Sequence, residues 1–359
     1  MPGLPSLLEE AGVRDAALVV IAYLVGVLLL LSFAFAVYTF WLRFRHRARD
    51  ARWNRLREGW ETPVLEVLDD PGGIPALQAS IPREMRLYFV RFVVEFARRV
   101  RGPELDTLRR LALPFLEPLV RRTLSGDVEV RTRAVQTLGT LGLPRYADVV
   151  VEAMDDPSPL VAMVAVRALA RPEYAEFTEP VLKRLYRFHS WSRGFLSAML
   201  AGIGSEGVPH LRKALADGEE EPWVRAVVAD ALAVLGDPGS GDIAAGVVEI
   251  EEDEDLLAAA LRLLAVVGRP EHIDVVRVRC ASPIPHVRSH ALKALGVLGR
   301  EEDVPRLLGA VADPSPWVAL RAAEGILAAG AHPLLRDLAE SDHPRALLAA
   351  QVLAEAEIP

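Results

Sequence analysis

A pattern of apolar residues returns every 31 or 32 residues between Val130 and Val318. In its clearest copy, PHVRSHALKALGVLG, Val287 is the zero position. Ala291 follows at plus four, Leu295 at plus eight, Leu298 at plus eleven and Gly299 at plus twelve. Steps of four, four and three place one stripe on one face of a helix. Copies that start at Val130, Val224 and Val318 fit the same frame, weaker ones start at Val161 and Leu256, and a poor one starts at Ser192. The steps between zero positions are 31, 31, 32, 32, 31 and 31 residues. A period held that long marks a repeat architecture, in which each unit buries its apolar face only against its neighbours.

The punctuation of the repeat has physical reasons. Pro159, Pro222, Pro285 and Pro316 each stand two residues before zero. Proline suits a first helical turn, where its missing N–H has no helical partner. Gly142, Gly204, Gly236, Gly268, Gly299 and Gly330 fall where a left-handed helix stop is expected. Trp191, Trp223 and Trp317 share the position before zero, where they are expected to act as packing staples; a ligand-binding aromatic row is the alternative.

Shorter apolar segments lie between these helices, at Tyr146–Met154, Val208–Leu215, Ile273–Val278 and Val304–Val311. Each repeat therefore reads as two antiparallel helices, and the pairs as a stack. On DPSPLVAMVAVRAL, EPWVRAVVADALAVLG, PHVRSHALKALGVLG and DPSPWVALRAAEGIL, the chain from about Asp127 onward resembles the HEAT-repeat family, including its short bacterial versions. That resemblance implies an Asp before the second helix and an Arg just after zero, forming a ladder. The Asp occurs at Asp156 and Asp313, and the Arg at Arg131, Arg193, Arg225 and Arg288; no repeat holds both at the family spacing.

Ahead of the repeats, Ala16–Leu42 runs 27 residues without a charge. A bilayer core needs about 20 apolar residues as helix, so a transmembrane span is expected. A cleaved signal peptide would want a basic start and a shorter apolar core, whereas the start here carries Glu9 and Glu10. Arg43–Arg57 then carries seven arginines against Asp50. The positive-inside rule puts that flank in the cytoplasm and the N-terminus outside, giving a single-pass inner-membrane protein with a cytoplasmic domain. Arg43, Arg45, Arg47 and Arg49 are also candidates for contacts to lipid headgroups.

The fold class expected is all-α: a single transmembrane helix, then a HEAT-like solenoid of about seven helix pairs plus caps. The segments are residues 1–15 as an extracytoplasmic tail, 16–42 as the span and 43–59 as a basic juxtamembrane stretch. A divergent helical cap at 60–126, repeats at 127–340 and a C-terminal cap at 341–359 follow. Within the first cap, Pro63–Leu68, Met85–Val100 and Leu108–Leu124 read as helices, the second of them buried on two sides or docked to a partner. The acidic runs Asp217–Glu221 and Glu249–Asp255 read as solvated turns, since they lack the ligand spacing of a calcium loop.

Chemistry is sparse. His286 and His290 stand four apart near Cys280, but no HExxH, nucleophile elbow, phosphate loop or paired-cysteine motif occurs. No catalytic, metal or cofactor site is expected. A single cysteine excludes an intrachain disulfide, and a net charge of −8 argues against a nucleic-acid binder. What remains is the plus-six column on the repeat helix, Gln136, Arg167, Asp230, Arg262, Lys293 and Glu324, together with Ala198. Its mixed signs suit a folded protein partner better than a polyanion, and a plain solvated face is the bland alternative. The expected function is a non-enzymatic, membrane-anchored scaffold that holds a protein, such as another membrane protein or complex. A fixed subunit of a large membrane complex is one alternative; a lyase or small-ligand enzyme, which the HEAT resemblance also admits, is another.

Overall fold

The computed structural model describes the backbone from Leu4 to Glu357 and the side chains of residues 23–41 and 53–356. All the described regular structure is helical. The chain forms two compact units, residues 1–93 with 101–111, and residues 94–100 with 112–359.

The first unit holds α1 (Leu4–Asp69), α2 (Ile74–Ser80), most of α3 (Arg86–Ala97) and α4 (Pro103–Ala112). Within α1, Tyr23–Trp41 is long and apolar enough to cross a membrane, and none of it is buried. At about 1.5 Å per residue these 19 residues rise roughly 28 Å. Further along α1, Trp60 meets Phe89 edge-on at 5.4 Å between ring centroids and Phe92 at 5.8 Å. Phe89, Phe92 and Val93 are fully buried, which is why α3 tolerates so many apolar residues. Gln78 Nε2 donates to the carbonyl oxygens of Arg110 and Leu111 at 3.0 and 3.2 Å, tying α2 to α4. Leu108–Leu124 is not one helix. Pro114 and Pro118 lack the N–H that an unbroken helix needs, so α4 stops at Ala112, a 3-10 turn covers Leu113–Phe115, and α5 (Glu117–Arg122) starts afresh.

The second unit carries the repeats. Its zero-position helices are α6 (Val128–Leu141), α8 (Pro159–Leu169), α10 (Arg193–Ala201), α12 (Pro222–Leu235), α14 (Glu254–Val267), α16 (Pro285–Leu298) and α18 (Pro316–Ala328). Between them run α7 (Ala147–Glu152), α9 (Thr178–Leu185), α11 (Val208–Ala216), α13 (Gly241–Ile250), α15 (Ile273–Arg279) and α17 (Val304–Ala310), and α19 (His332–Ala339) and α20 (Ala346–Glu357) close the unit. Helix α6 packs on α8, and α10, α12, α14, α16 and α18 pack in succession; α9, α11, α13 and α15 form a second row.

The periodic frame is the core. Ala134, Ala165, Leu196, Val228, Ala260, Ala291 and Ala322, all at plus four, are fully buried, and the plus-eight residues from Leu138 to Ile326 are at most 1% exposed. Pro159, Pro222, Pro285 and Pro316 are each the first residue of their helix. Where proline is missing, side chains cap instead. Asp127 Oδ1 accepts from the N–H groups of Glu129 and Val130, and Asp253 Oδ1 from that of Leu256 at 2.9 Å. The poor copy at Ser192 is a capping residue displaced into the zero position, with its hydroxyl accepting from Phe195 N–H at 3.4 Å.

The glycine stops divide into two kinds. Gly142, Gly204, Gly236 and Gly330 have φ between 61° and 77°. Gly268 and Gly299 do not; both are extended, with φ near −62° and −66°. There the need is for space. A Cβ on Gly268 would lie 2.4 Å from Leu264 O, and one on Gly299 would lie 2.3 Å from Leu295 O.

Candidate protein-binding face

Gln136, Arg167, Ala198 and Lys293 of the plus-six column are exposed, whereas Asp230, Arg262 and Glu324 are half-buried. Ion pairing makes the difference. Arg262 donates from Nε to Asp230 Oδ1 at 2.8 Å and from Nη2 to Oδ2 at 3.0 Å, joining α14 to α12. Arg193 on α10 reaches the same carboxylate at 3.2 Å and Asp255 at 3.0 Å. Arg321 holds Glu324 on its own helix. With these pairs set aside, the charges left open in the column are Arg167 and Lys293, neither with an ion-pair partner among the described residues. Both are cations.

His290 extends this network. Its Nε2 lies 3.2 Å from Arg262 Nη1. A guanidinium only donates, so Nε2 accepts and the neutral ring keeps its proton on Nδ1. Burial, reinforced by the nearby Arg262 charge, pushes the imidazole down to about 3. His286 stands edge-on to it, at 4.9 Å between centroids and 88° between planes. With one nitrogen accepting from arginine and the other protonated, His290 has no lone pair to offer a metal. Among the described residues no group of three His, Cys, Asp or Glu side chains could hold one. Burial also pushes the Cys280 thiol up to about 12, which leaves it protonated and a poor nucleophile at neutral pH.

The tryptophans are not equivalent. Trp191 stacks obliquely on Phe188 at 4.7 Å, and Trp223 meets Tyr186 edge-on at 6.2 Å, as packing staples do. Trp317 is 70% exposed and staples nothing. It borders an open groove of about 540 Å³ lined also by Glu254, His286, Ser289, His290 and Arg321. The acidic run Glu249–Asp255 is more than a solvated turn, whereas Asp217–Glu221 is an exposed turn as expected. Glu251 pairs with Arg225 at 3.0 Å, Asp253 caps α14, and Asp255 receives Arg193. In the other run, Asp217 Oδ1 accepts from Glu219 N–H at 3.0 Å.

The ladder forms between repeats, so no single repeat needs both partners. Arg131 donates to both carboxylate oxygens of Asp156 at 2.7 and 2.9 Å, and Arg288 to both of Asp313 at 3.0 Å. Glu251 takes the Asp position opposite Arg225. Arg193 breaks the series by turning to Asp230 and Asp255. A parallel set ties the shorter helices to the following turn, Arg212 to Asp237 and Arg277 to Asp303.

This ladder predicts a pH profile. The hydrogen bonds from Arg131, Arg212 and Arg277 hold the carboxyls of Asp156, Asp237 and Asp303 below the ordinary value, against the opposing effect of burial. The unfolded chain therefore binds more protons, and stability rises with pH. The contribution is complete above the unfolded carboxyl pKa, about 3.9, and is lost as pH falls through the lower folded-state values. Unfolding free energy measured in denaturant is expected to begin falling below about pH 6.5, where the unfolded chain protonates His290 and the folded one does not, and to fall more steeply below about 4 as the ladder carboxyls take up protons. Asp156→Asn should remove part of that steeper fall; an unchanged slope there would show that the rung contributes nothing.

Sequence reasoning missed a further column. Val234, Val266 and Val297, at plus ten, are 65%, 60% and 54% exposed. Each is the penultimate residue of its helix, on α12, α14 and α16. The signal was the recurrence of valine at one off-stripe position in three successive repeats. Arg43, Arg45, Arg47 and Arg49 lie outside the described side chains.

Residues 113–193 and 244–328 match the family model for HEAT repeats. These two stretches are HEAT repeats. No curated protein matches the sequence. Among solved structures, a crystal structure of a Kap121p mutant superposes with a TM-score of 0.42 at 14% identity, over 78% of this chain and 38% of that one. The complex of CpcE and CpcF of phycocyanin lyase from Nostoc sp. PCC7120 gives 0.33 at 17% identity, over 68% and 88%. Human deoxyhypusine hydroxylase with glycerol gives 0.31 at 16%, over 75% and 88%. Likenesses this distant carry no argument about activity or partner, and the chain spans well under half of the Kap121p length.

Proposed function

We propose that this protein is a membrane-anchored, non-enzymatic scaffold that holds a protein partner at the cytoplasmic face of the membrane. The observation that carries the reading is the unburied 19-residue apolar stretch Tyr23–Trp41 on a chain whose second unit is a HEAT array. Stacked repeats offer an extended, side-chain-rich surface suited to protein recognition. The run of arginines after Trp41 orients the array inward by the positive-inside rule. Anchoring then acts geometrically, because partners that share the membrane meet at a raised effective concentration without new chemistry.

The test is gentle detergent extraction of the full-length chain from its native membrane, with mass analysis of what accompanies it. A reproducible protein partner, lost from the membrane fraction together with the array when residues 1–59 are deleted, is the expected result. Extraction as a monomer under every mild condition, without a partner after cross-linking in the intact membrane, would overturn the scaffold reading. A constant stoichiometric set of membrane proteins would favour a fixed subunit instead.

A further inference from the structure

We infer that the exposed valine column on α12, α14 and α16 is the docking surface for an acidic amphipathic helix of a protein partner. The inference rests on the scaffold reading and names the chemistry of what the scaffold holds. Three observations carry it. Val234, Val266 and Val297 are each more than half exposed, on helices that pack in succession. Three valines presented at one repeat position form a row rather than scattered surface residues, and rows of exposed apolar side chains mark interaction sites.

Spacing comes second. Packed helices lie about 8–10 Å apart, so the valines recur at about that interval. An α-helix returns a side chain to one face every seven residues, about 10.5 Å along its axis. A helix laid across the row therefore meets successive valines with apolar residues one heptad apart, the register used by helices that dock into apolar surfaces.

Charge supplies the sign. One turn before each valine stands the plus-six residue. Asp230 and Arg262 neutralise one another and are held further by Arg193 and His290. Lys293, one turn before Val297 on α16, has no ion-pair partner among the described residues. The one plus-six residue beside the row left without an ion pair is therefore a cation, on a chain whose net charge is −8. A carboxylate on the docking helix satisfies Lys293, whereas a basic helix meets an unpaired cation, so complementarity selects an acidic partner and rejects a basic one.

The experiment uses the full-length protein in detergent and a fluorescent synthetic helix with leucine at heptad a and d positions and glutamate elsewhere. Its counterpart carries lysine in place of glutamate. The acidic helix is expected to bind and the basic one not. Val234→Ser, Val266→Ser and Val297→Ser together should weaken binding by about tenfold or more, and Lys293→Glu should reverse the preference between the two helices. These side chains are exposed, so an unchanged thermal melt will show that the variants fold. Equal binding of both helices, or wild-type binding by the triple variant, overturns the inference. So does valine-dependent binding of anionic phosphatidylserine vesicles, or valine-dependent self-association in sedimentation, with no binding of the acidic helix. The two readings fail separately: a native partner that still co-purifies with the triple serine variant sinks this docking surface and leaves the scaffold standing.

Discussion

Replacing Gly296 with valine is expected to lower the stability of the repeat unit by about 3 kcal/mol or more, the upper range for overpacking a tight interior. Gly296 lies at plus nine on α16, facing α18. A Cβ built there would sit 2.4 Å from Gly325 Cα and 2.8 Å from Gly325 O, so the obstruction is backbone and no rotamer relieves it. The two helices approach this closely because both positions lack a side chain; Gly325 itself has Leu292 O at 3.2 Å from its would-be Cβ. Forcing them apart also opens the seam buried by Ala291, Leu295, Ala322 and Ile326. Gly246→Ala supplies the control. That residue is helical on α13 with nothing within 4 Å of an added Cβ, so alanine should gain about 0.5–1 kcal/mol by propensity alone. Denaturant melts of both variants decide the matter, and similar effects from the two would refute the close-approach account. Because a stacked array couples nearest neighbours most strongly, hydrogen exchange should report earlier opening of α16 and α18 than of α6 and α8 in the valine variant.

Much of this seam was readable before the structure, and the reason is periodicity. The residues at zero, plus four and plus eight repeat because each must face the same kind of neighbour, so their chemistry is fixed by the stack. The proline starts were readable for the same reason, as Pro222 and Pro316 answer a local backbone rule. Two classes of feature escaped. Gly268 and Gly299 looked like left-handed stops because glycine permits positive φ, yet the structure uses them for the absence of a Cβ. Composition does not separate those two uses of glycine. The second class is pairing. Asp230 and Arg262 looked like a mixed-sign binding face, because a linear frame shows sign but not that residues 32 apart share one bidentate hydrogen bond. Arg131 and Asp156 likewise escaped a search within single repeats. Pairing across the stack is a property of neighbours in space, and it divides the plus-six column into structural and open members that sequence treats alike.

Removing Glu251 should produce the other large effect. Arg225 is 7% exposed, and it donates from Nη1 to Glu251 Oε2 at 3.0 Å and from Nε to Leu215 O at 3.1 Å. Glu251 also accepts the N–H groups of Glu252 and Asp253 through Oε1, at 3.0 and 3.2 Å, which sets the turn into α14. Glu251→Ala deletes that turn acceptor and leaves a guanidinium buried without its counter-charge, at a cost of about 3 kcal/mol. Much of that loss is the penalty of the orphaned cation rather than the intrinsic strength of the pair. Arg225→Met in the Glu251→Ala background removes the orphan and should recover part of the stability, although Leu215 O then loses its donor. A double-mutant cycle in denaturant separates the terms. Recovery of at least about 1 kcal/mol on adding Arg225→Met supports a buried charge that needs its partner. Additive losses, with the double variant less stable than either single one, would mean that Arg225 and Glu251 act separately, as a carbonyl cap and a turn acceptor, and that the rung between their repeats is incidental.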